Sequence, residues 1–238
     1  MWLKVDTGMH RLGIKPEDAA TSLERLNHCK VVELVNVMTH LANADDLDDS
    51  YTNKQLALFE QSVVNLNAPR SIANSAGILG WPASHCDWVR PGIMLYGVSP
   101  LLNNTAAQHQ LQPVMTLHSE LISVNWQQKG EAVGYGGSYV CPEDMPVGVV
   151  AIGYGDGYPR HAASGTPVLV NGQRVARGGR VPMDMSCVDL RNQPEAKAGD
   201  PVVLWGQGLP IEEVAAAADT IAYELLCKVT SRVSFEYR

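Results

Sequence analysis

The chain has little positive charge: 18 Lys and Arg stand against 25 Asp and Glu, a formal net charge of −7. That balance excludes the basic footprint with which a domain holds nucleic acid or an anionic membrane. Cysteine is scarce and scattered. Its five residues, Cys29, Cys86, Cys141, Cys187 and Cys227, form no CxxC pair, which argues against a disulfide framework or a zinc site and suits a reducing cytoplasm. No apolar run approaches the roughly 20 residues of a membrane helix, and Met1 to Asp6 lacks the long apolar core of a signal peptide. Internal repeats and low-complexity tracts are absent as well. What remains is a chain of 238 residues, 45% hydrophobic and 18% charged, a globular composition with length for one large core or two modest ones.

The grammar changes part-way along. Residues 1–112 alternate strand-like and helix-like patterns, the signature of a parallel α/β sheet or barrel. Strand-like runs cover Trp2 to Val5, Val31 to Thr39, Ser71 to Ala73 and Trp88 to Leu95. Helices are predicted from Pro16-Glu17-Asp18 to about Asn27, with proline and acids in the first turn, and from Tyr51 to Leu66, where Leu56, Phe59, Val63 and Leu66 follow a helical period. Asn74-Ser75 reads as a third helix start. Residues 113–238 carry short strand patterns between Gly/Pro turns: Met115 to Val124, Val149 to Ile152, Val168 to Val170, Ser186 to Leu190, Val202 to Trp205 and Val229 to Phe235. Helical inserts are expected at Pro210 to Asp219 and Ile221 to Cys227. The pattern predicts a mainly antiparallel β domain. Four βα units in about 100 residues are half of an eight-stranded barrel, which needs roughly 250. Because a strand-like run follows Met1 at once, with nothing upstream to pair with it, the sequence reads as cut from a longer one.

Few residues invite chemistry. Gly153-Tyr154-Gly155-Asp156-Gly157 ends an apolar run in a glycine-dense turn with a tyrosine at its apex. Its glycine spacing does not fit a dinucleotide loop, and a structural turn is the plain alternative. His40 closes a strand and could equally be a hydrogen-bonded structural residue. With Asp45 and Asp46 it lacks a second His or Cys at metal-ligand spacing, so no metal is expected. Ser75 is either an N-cap or a phosphate contact. Gly92-Ile93 offers backbone N–H groups on the last βα loop, where barrels of this type hold phosphate.

At these residues the chain resembles a known family. Leu3-Lys4-Val5-Asp6-Thr7-Gly8-Met9-His10-Arg11-Leu12-Gly13 resembles the LKxDTGMxRLG signature of alanine racemases, and so, in the family's order, do Thr39-His40, Ala73-Asn74-Ser75, Val89 to Gly97, Gly153 to Gly157 and Arg180 to Met185. The resemblance implies the second half of a TIM-type barrel, strands five to eight, in residues 1–112, followed by a β domain in 113–238. It further implies a cytoplasmic homodimer that uses pyridoxal 5'-phosphate to interconvert L- and D-alanine and supplies D-alanine for the cell wall. Under it Tyr154 matches the catalytic tyrosine, reaching the partner subunit's site opposite the cofactor lysine. His40 links that tyrosine to Arg90, which faces the pyridine nitrogen of the cofactor. Ser75, Gly92 and Ile93 align with phosphate contacts. Arg11 and Met183 align with substrate-carboxylate contacts, and Asp184 lines the same entrance. Lys4 matches a position that is carbamylated in some members.

Racemisation takes a proton from one face of a carbon and returns one to the other, so two bases on opposite sides suit it. A free phenol titrates near 10 and needs positive neighbours to serve as a base. Two departures stand out. The family's AVVKANAYGHG-like segment with the Schiff-base lysine is not in these residues, so the isolated chain is expected to be inactive. Thr230-Ser231-Arg232 has serine where some members have a phosphate-binding tyrosine. Pro182 also fixes φ just before Met183. A broad-specificity or basic amino-acid racemase and a non-catalytic dimerising remnant are the alternatives.

Overall fold

The computed structural model describes residues 1–237. Near the N-terminus three short strands, β1 (Trp2–Lys4), β2 (Asn36–Met38) and β3 (Arg70–Ser71), pair in parallel in the order β1-β2-β3. A single parallel bridge from Ser71 to Trp88 extends this ladder. Parallel neighbours need crossovers, and helices supply them: α1 (Ala19–Asn27), α2 (Tyr51–Val63) and, after β3, α3 (Ser75–Gly80). Leu3, Val5, Val37 and Ile72 from the strand segments pack with Leu23, Phe59 and Val63 from the helices in one core. Phe59 is fully buried, worth about 2–3 kcal/mol against exposure. Asn74 caps α3 by accepting the Gly77 N–H at 2.9 Å, which fixes Ser75 as its first residue.

The sequence overestimates two strands here. Of Val31 to Thr39 only Asn36–Met38 pairs, and Val31 and Leu34 lie exposed. Trp88 to Leu95 gives one bridge and then a 3-10 turn, Ile93–Tyr96. Pro91 breaks that run because it has no N–H for a ladder.

From Pro113 onward the chain forms a second unit, separate from Met1–Gln112. Its strands are β4 (Leu117–Gln127), β5 (Ala132–Val133), β6 (Tyr139–Val140), β7 (Met145–Val150), β8 (Pro167–Val170), β9 (Gln173–Gly178), β10 (Ser186–Asp189) and β11 (Pro201–Trp205). Six of them close into an antiparallel barrel in the order β10-β7-β4-β11-β8-β9. Closure removes the exposed edges that a sheet of this size would otherwise present. Among the described residues β5 and β6 pair only with each other. Helices α4 (Ile211–Ala217) and α5 (Ala222–Lys228) follow. Val229 to Phe235, read from sequence as a strand, contains no strand; Val233 N–H turns back onto the Thr230 carbonyl.

Candidate functional site

In the first unit the chemistry gathers around Arg90. Its Nη1 donates to Ser71 Oγ at 2.6 Å, and its Nη2 to the carbonyls of Thr39 at 2.8 Å and Ile72 at 3.2 Å. The ends of two strands, β2 and β3, thus aim three acceptors at one guanidinium. Nη2 also meets His40 Nδ1 at 3.3 Å. A guanidinium has no acceptor, so Nδ1 must receive, and the imidazole proton sits on Nε2. His40 titrates below its ordinary 6.5, first because burial penalises the charged ring and then because Arg90, Arg11 and Lys4 repel it. The ring is therefore neutral at neutral pH, with Nε2–H free to donate. Burial also lowers Arg90, which remains a cation.

The loop that carries His40 is braced from α2. Gln55 Nε2 donates to the His40 carbonyl at 3.1 Å, while its Oε1 accepts the Ala42 N–H at 2.8 Å. Thr7 and Thr39 share a buried 2.7 Å hydrogen bond. Upstream, Asp6 accepts from the Gly8 and His10 amides and so shapes the loop that presents Arg11, which is exposed. Gln55, Thr7, Ser71 and Asp6 do this bracing and were not singled out by the sequence. Gln55 had a signal: it is a polar residue on the inward face of an amphipathic helix.

Ser75 lies beside the segment that follows Arg90, 5% exposed. Its Oγ accepts the Gly92 N–H at 2.8 Å and lies 3.4 Å from the Met94 N–H. A Cβ at Gly92 would stand 3.7 Å from that hydroxyl oxygen, so a side chain there would cover the pair. The Ser75 hydroxyl proton, and the backbone N–H groups that converge on that oxygen at the start of the Ile93–Tyr96 turn, gather donors at one point, an arrangement of the kind that fits a phosphate.

In the second unit the Tyr154 turn lies against Pro182 and Met183, on the loop that also carries Asp184. Tyr154 N–H donates to the Pro182 carbonyl at 3.0 Å and Gly155 N–H to the Met183 carbonyl at 2.7 Å. The two loops run so close that a Cβ on Gly153 would lie 2.4 Å from the Met183 backbone. Asp156 ties the turn further: Oδ2 accepts the Gly153 N–H and Oδ1 accepts Arg232 Nε, each at 2.9 Å. Tyr154 is 40% exposed and borders a pocket of ≈ 180 Å³ together with Tyr158, Arg160, His161 and Lys228.

A second tyrosine, passed over in the sequence, stands out here. Tyr135 is 71% exposed, on a 3-10 turn, Tyr135–Gly137, that joins β5 to β6. Gly136 (φ +71°) lies under the Arg180 guanidinium, which a Cβ would meet at 3.1 Å. The hairpin is anchored by Tyr139, whose hydroxyl donates to Asp189 Oδ2 at 2.9 Å. Tyrosine between glycines in a turn is the same pattern that drew attention to Tyr154.

Comparison with known proteins decides the family. The alanine racemase N-terminal domain family matches residues 1–100 and the alanine racemase C-terminal domain family residues 114–237. The chain belongs to the alanine racemase family. It is 56% identical to an alanine racemase of Aeromonas hydrophila over 99% of this chain and 66% of that protein. To the biosynthetic alanine racemase of Escherichia coli K12 it is also 56% identical, over 100% of this chain and 67% of that one. The chain thus spans about two thirds of the length of the curated relatives it matches. Among solved structures, the biosynthetic alanine racemase of Pseudomonas aeruginosa superimposes with a TM-score of 0.96 at 48% identity, covering 100% of this chain and 66% of that one. The alanine racemase of Bartonella henselae, solved with covalently bound pyridoxal phosphate, gives 0.84 at 32%, covering 97% and 64%. The barrel-plus-β-domain architecture of the alanine racemases accounts for the parallel first unit and the antiparallel second. Among the described residues no helix is long and apolar enough to cross a membrane, and no His/Cys/Asp/Glu cluster could hold a metal ion.

Proposed function

We propose that this chain is the strand-five-to-eight half-barrel and β domain of a dimeric, pyridoxal phosphate-dependent alanine racemase that supplies D-alanine for the cell wall. The observation that carries the reading is the Arg90 guanidinium, fixed by Ser71, Thr39 and Ile72 beside a neutral His40, with the Ser75–Gly92 cradle on the next loop. That donor set fits the cofactor: Ser75, Gly92 and Ile93 would hold its phosphate and Arg90 would face its ring nitrogen. When bound, the cofactor withdraws electrons and acidifies the substrate α-carbon. Arg90 donates a hydrogen bond without surrendering its proton, which keeps that withdrawal modest and discourages side reactions. Arg11 supplies the charge for the substrate carboxylate, with the Met183 backbone and Asp184 at the entrance.

One base must be a phenol, and His40 Nε2–H is its natural relay to Arg90. The sequence points to Tyr154. We assign the base to Tyr135 instead, because a phenol that serves a partner subunit must project from its own surface with a cation nearby. Tyr135 is more exposed than Tyr154, on a glycine turn beside Arg180. Tyr154, with its backbone fastened to Pro182 and Met183, then lines the entrance.

The opposing lysine is not among these residues, so we expect no racemisation by the 238-residue chain alone. The test is D-alanine formation from L-alanine with added cofactor, by the chain alone and by the chain fused behind a segment bearing the family's lysine motif. Turnover only by the fusion supports the reading. Robust turnover by the chain alone would overturn the two-base assignment.

A further inference from the structure

Inside the second unit lies a cluster that the racemase reading does not use. Arg177, on β9, is only 1% exposed, among the most buried polar residues of the chain. It faces the same way as Val175 and opposite Val188 of β10, so its side chain enters the apolar side of the barrel wall. Its Nη2 donates to the Ala162 carbonyl at 2.5 Å and its Nη1 reaches the Gly178 carbonyl at 3.5 Å. Its Nε has no hydrogen-bond partner among the described residues. Among the described residues no carboxylate pairs with it: the titratable groups that act on its charge are Tyr158, Cys187 and Arg160.

Two further buried donors share this neighbourhood. Tyr158 is 1% exposed and Trp205 fully buried, and among the described residues neither the Tyr158 hydroxyl nor the Trp205 Nε1–H has a hydrogen-bond partner. Their rings stack, with centroids 6.1 Å apart and planes 12° from parallel. Arg177 is the charge that acts on the Tyr158 hydroxyl, and the carbonyl that Arg177 holds, Ala162, lies four residues beyond Tyr158.

A guanidinium inside a closed barrel costs several kcal/mol unless a counter-charge is at hand, and each buried donor left unmade adds to that. Arg177 Nε and Trp205 Nε1 can only donate. A water could accept from them, but it would bring protons that need acceptors of their own, and it would leave the charge uncompensated. A monatomic anion answers both demands, since it accepts from every direction and neutralises the cation. We propose that the β domain binds one small monovalent anion, chloride under ordinary conditions, internally between Arg177, Tyr158 and Trp205. The anion fastens the Tyr158–Ala162 segment to β9 and so stiffens the chain that leads away from the Tyr154 turn. The proposal stands independently of the catalytic assignment.

Bromide is the probe. Crystals of the protein grown with bromide in place of chloride should give an anomalous peak within about 3.5 Å of Arg177 Nε and within the same reach of Tyr158 Oη or Trp205 Nε1. In solution, thermal melts at fixed ionic strength should rise in chloride or bromide relative to methanesulfonate. Tyr158→Phe keeps the stack on Trp205 and removes one donor, so it should weaken the halide dependence about tenfold. Arg177→Met should abolish it. If Arg177→Met does not fold, Tyr158→Phe and Trp205→Phe carry the test. A featureless anomalous map with ordered water at the cluster, or equal halide dependence in wild type and Tyr158→Phe, overturns the proposal.

Discussion

The two units hold their functional side chains by opposite means. Around Arg90 everything is braced: a guanidinium is met by one hydroxyl and two carbonyls, and His40 is held by its own carbonyl from Gln55. In the β domain the candidate tyrosines sit on glycine-built turns whose backbones are tied while the phenols stay at the surface. The difference follows from the work asked of each. A charge in a half-buried setting needs fixed acceptors to repay its desolvation. On the proposed assignment the phenol reaches a partner subunit, and a rigid turn supplies that reach without enclosing the ring.

The sharpest way to break this comparison is to remove the phenols one at a time in the complete enzyme. Tyr135→Phe should lower kcat/KM by about 10²–10⁴-fold, the usual weight of a positioned general base, while Tyr154→Phe stays within about tenfold. Steady-state assays in both directions decide between them, and the opposite ranking returns the base to Tyr154. A smaller effect probes the backbone ties. Gly153→Ala would drive a methyl group into the Met183 and Pro182 backbone, 2.4 Å away. We expect a loss of about 2–3 kcal/mol in urea unfolding. No loss would mean that the two loops are not held together. On the braced side, Ser71→Ala takes one acceptor from Arg90 and should cost about 1.5 kcal/mol, the weight of a hydrogen bond to a charged group. A cost near zero would mean that Ser71 contributes nothing to holding the guanidinium.

How far the sequence could lead differs between the units for a physical reason. In the first, local rules sufficed to place the helices: the apolar period from Leu56 to Leu66 gave α2, which stops at Val63, and Asn74-Ser75 marked the start of α3, where Asn74 and not Ser75 is the cap. The strands were harder, because Val31 and Leu34 are apolar yet exposed, and a single bridge at Trp88 leaves no pattern. In the second unit β9 escaped notice, since Gln173 and Arg174 face out and its buried face includes an arginine. The Tyr135 hairpin also escaped, its two-residue strands being too short to alternate. Motif resemblance drew His40, Arg90, Ser75 and Gly92 to attention one by one. Their hydrogen bonds to Ser71, Thr39 and each other are long-range contacts that no spacing rule encodes.

The smallest expected effect is the most discriminating about charge, because the two units should fail on opposite sides of neutrality. His40 has a folded pKa below its free value of 6.5. Between those two pH values the unfolded chain binds more protons, so stability is complete above 6.5 and declines as pH falls through it. Tyr139 is raised from 10 to about 12, by burial and then by its hydrogen bond to Asp189. Its unfolded form releases the proton first, so its contribution is complete below 10 and is lost as pH rises toward 12. Urea titrations from pH 5 to 8 should show a slope that His40→Gln flattens and Tyr139→Phe leaves unchanged. Above pH 10 the roles should reverse. If His40→Gln leaves the acid-side slope untouched, the ring is not held neutral by burial beside Arg90, and its service as a neutral donor through Nε2 loses its electrostatic basis.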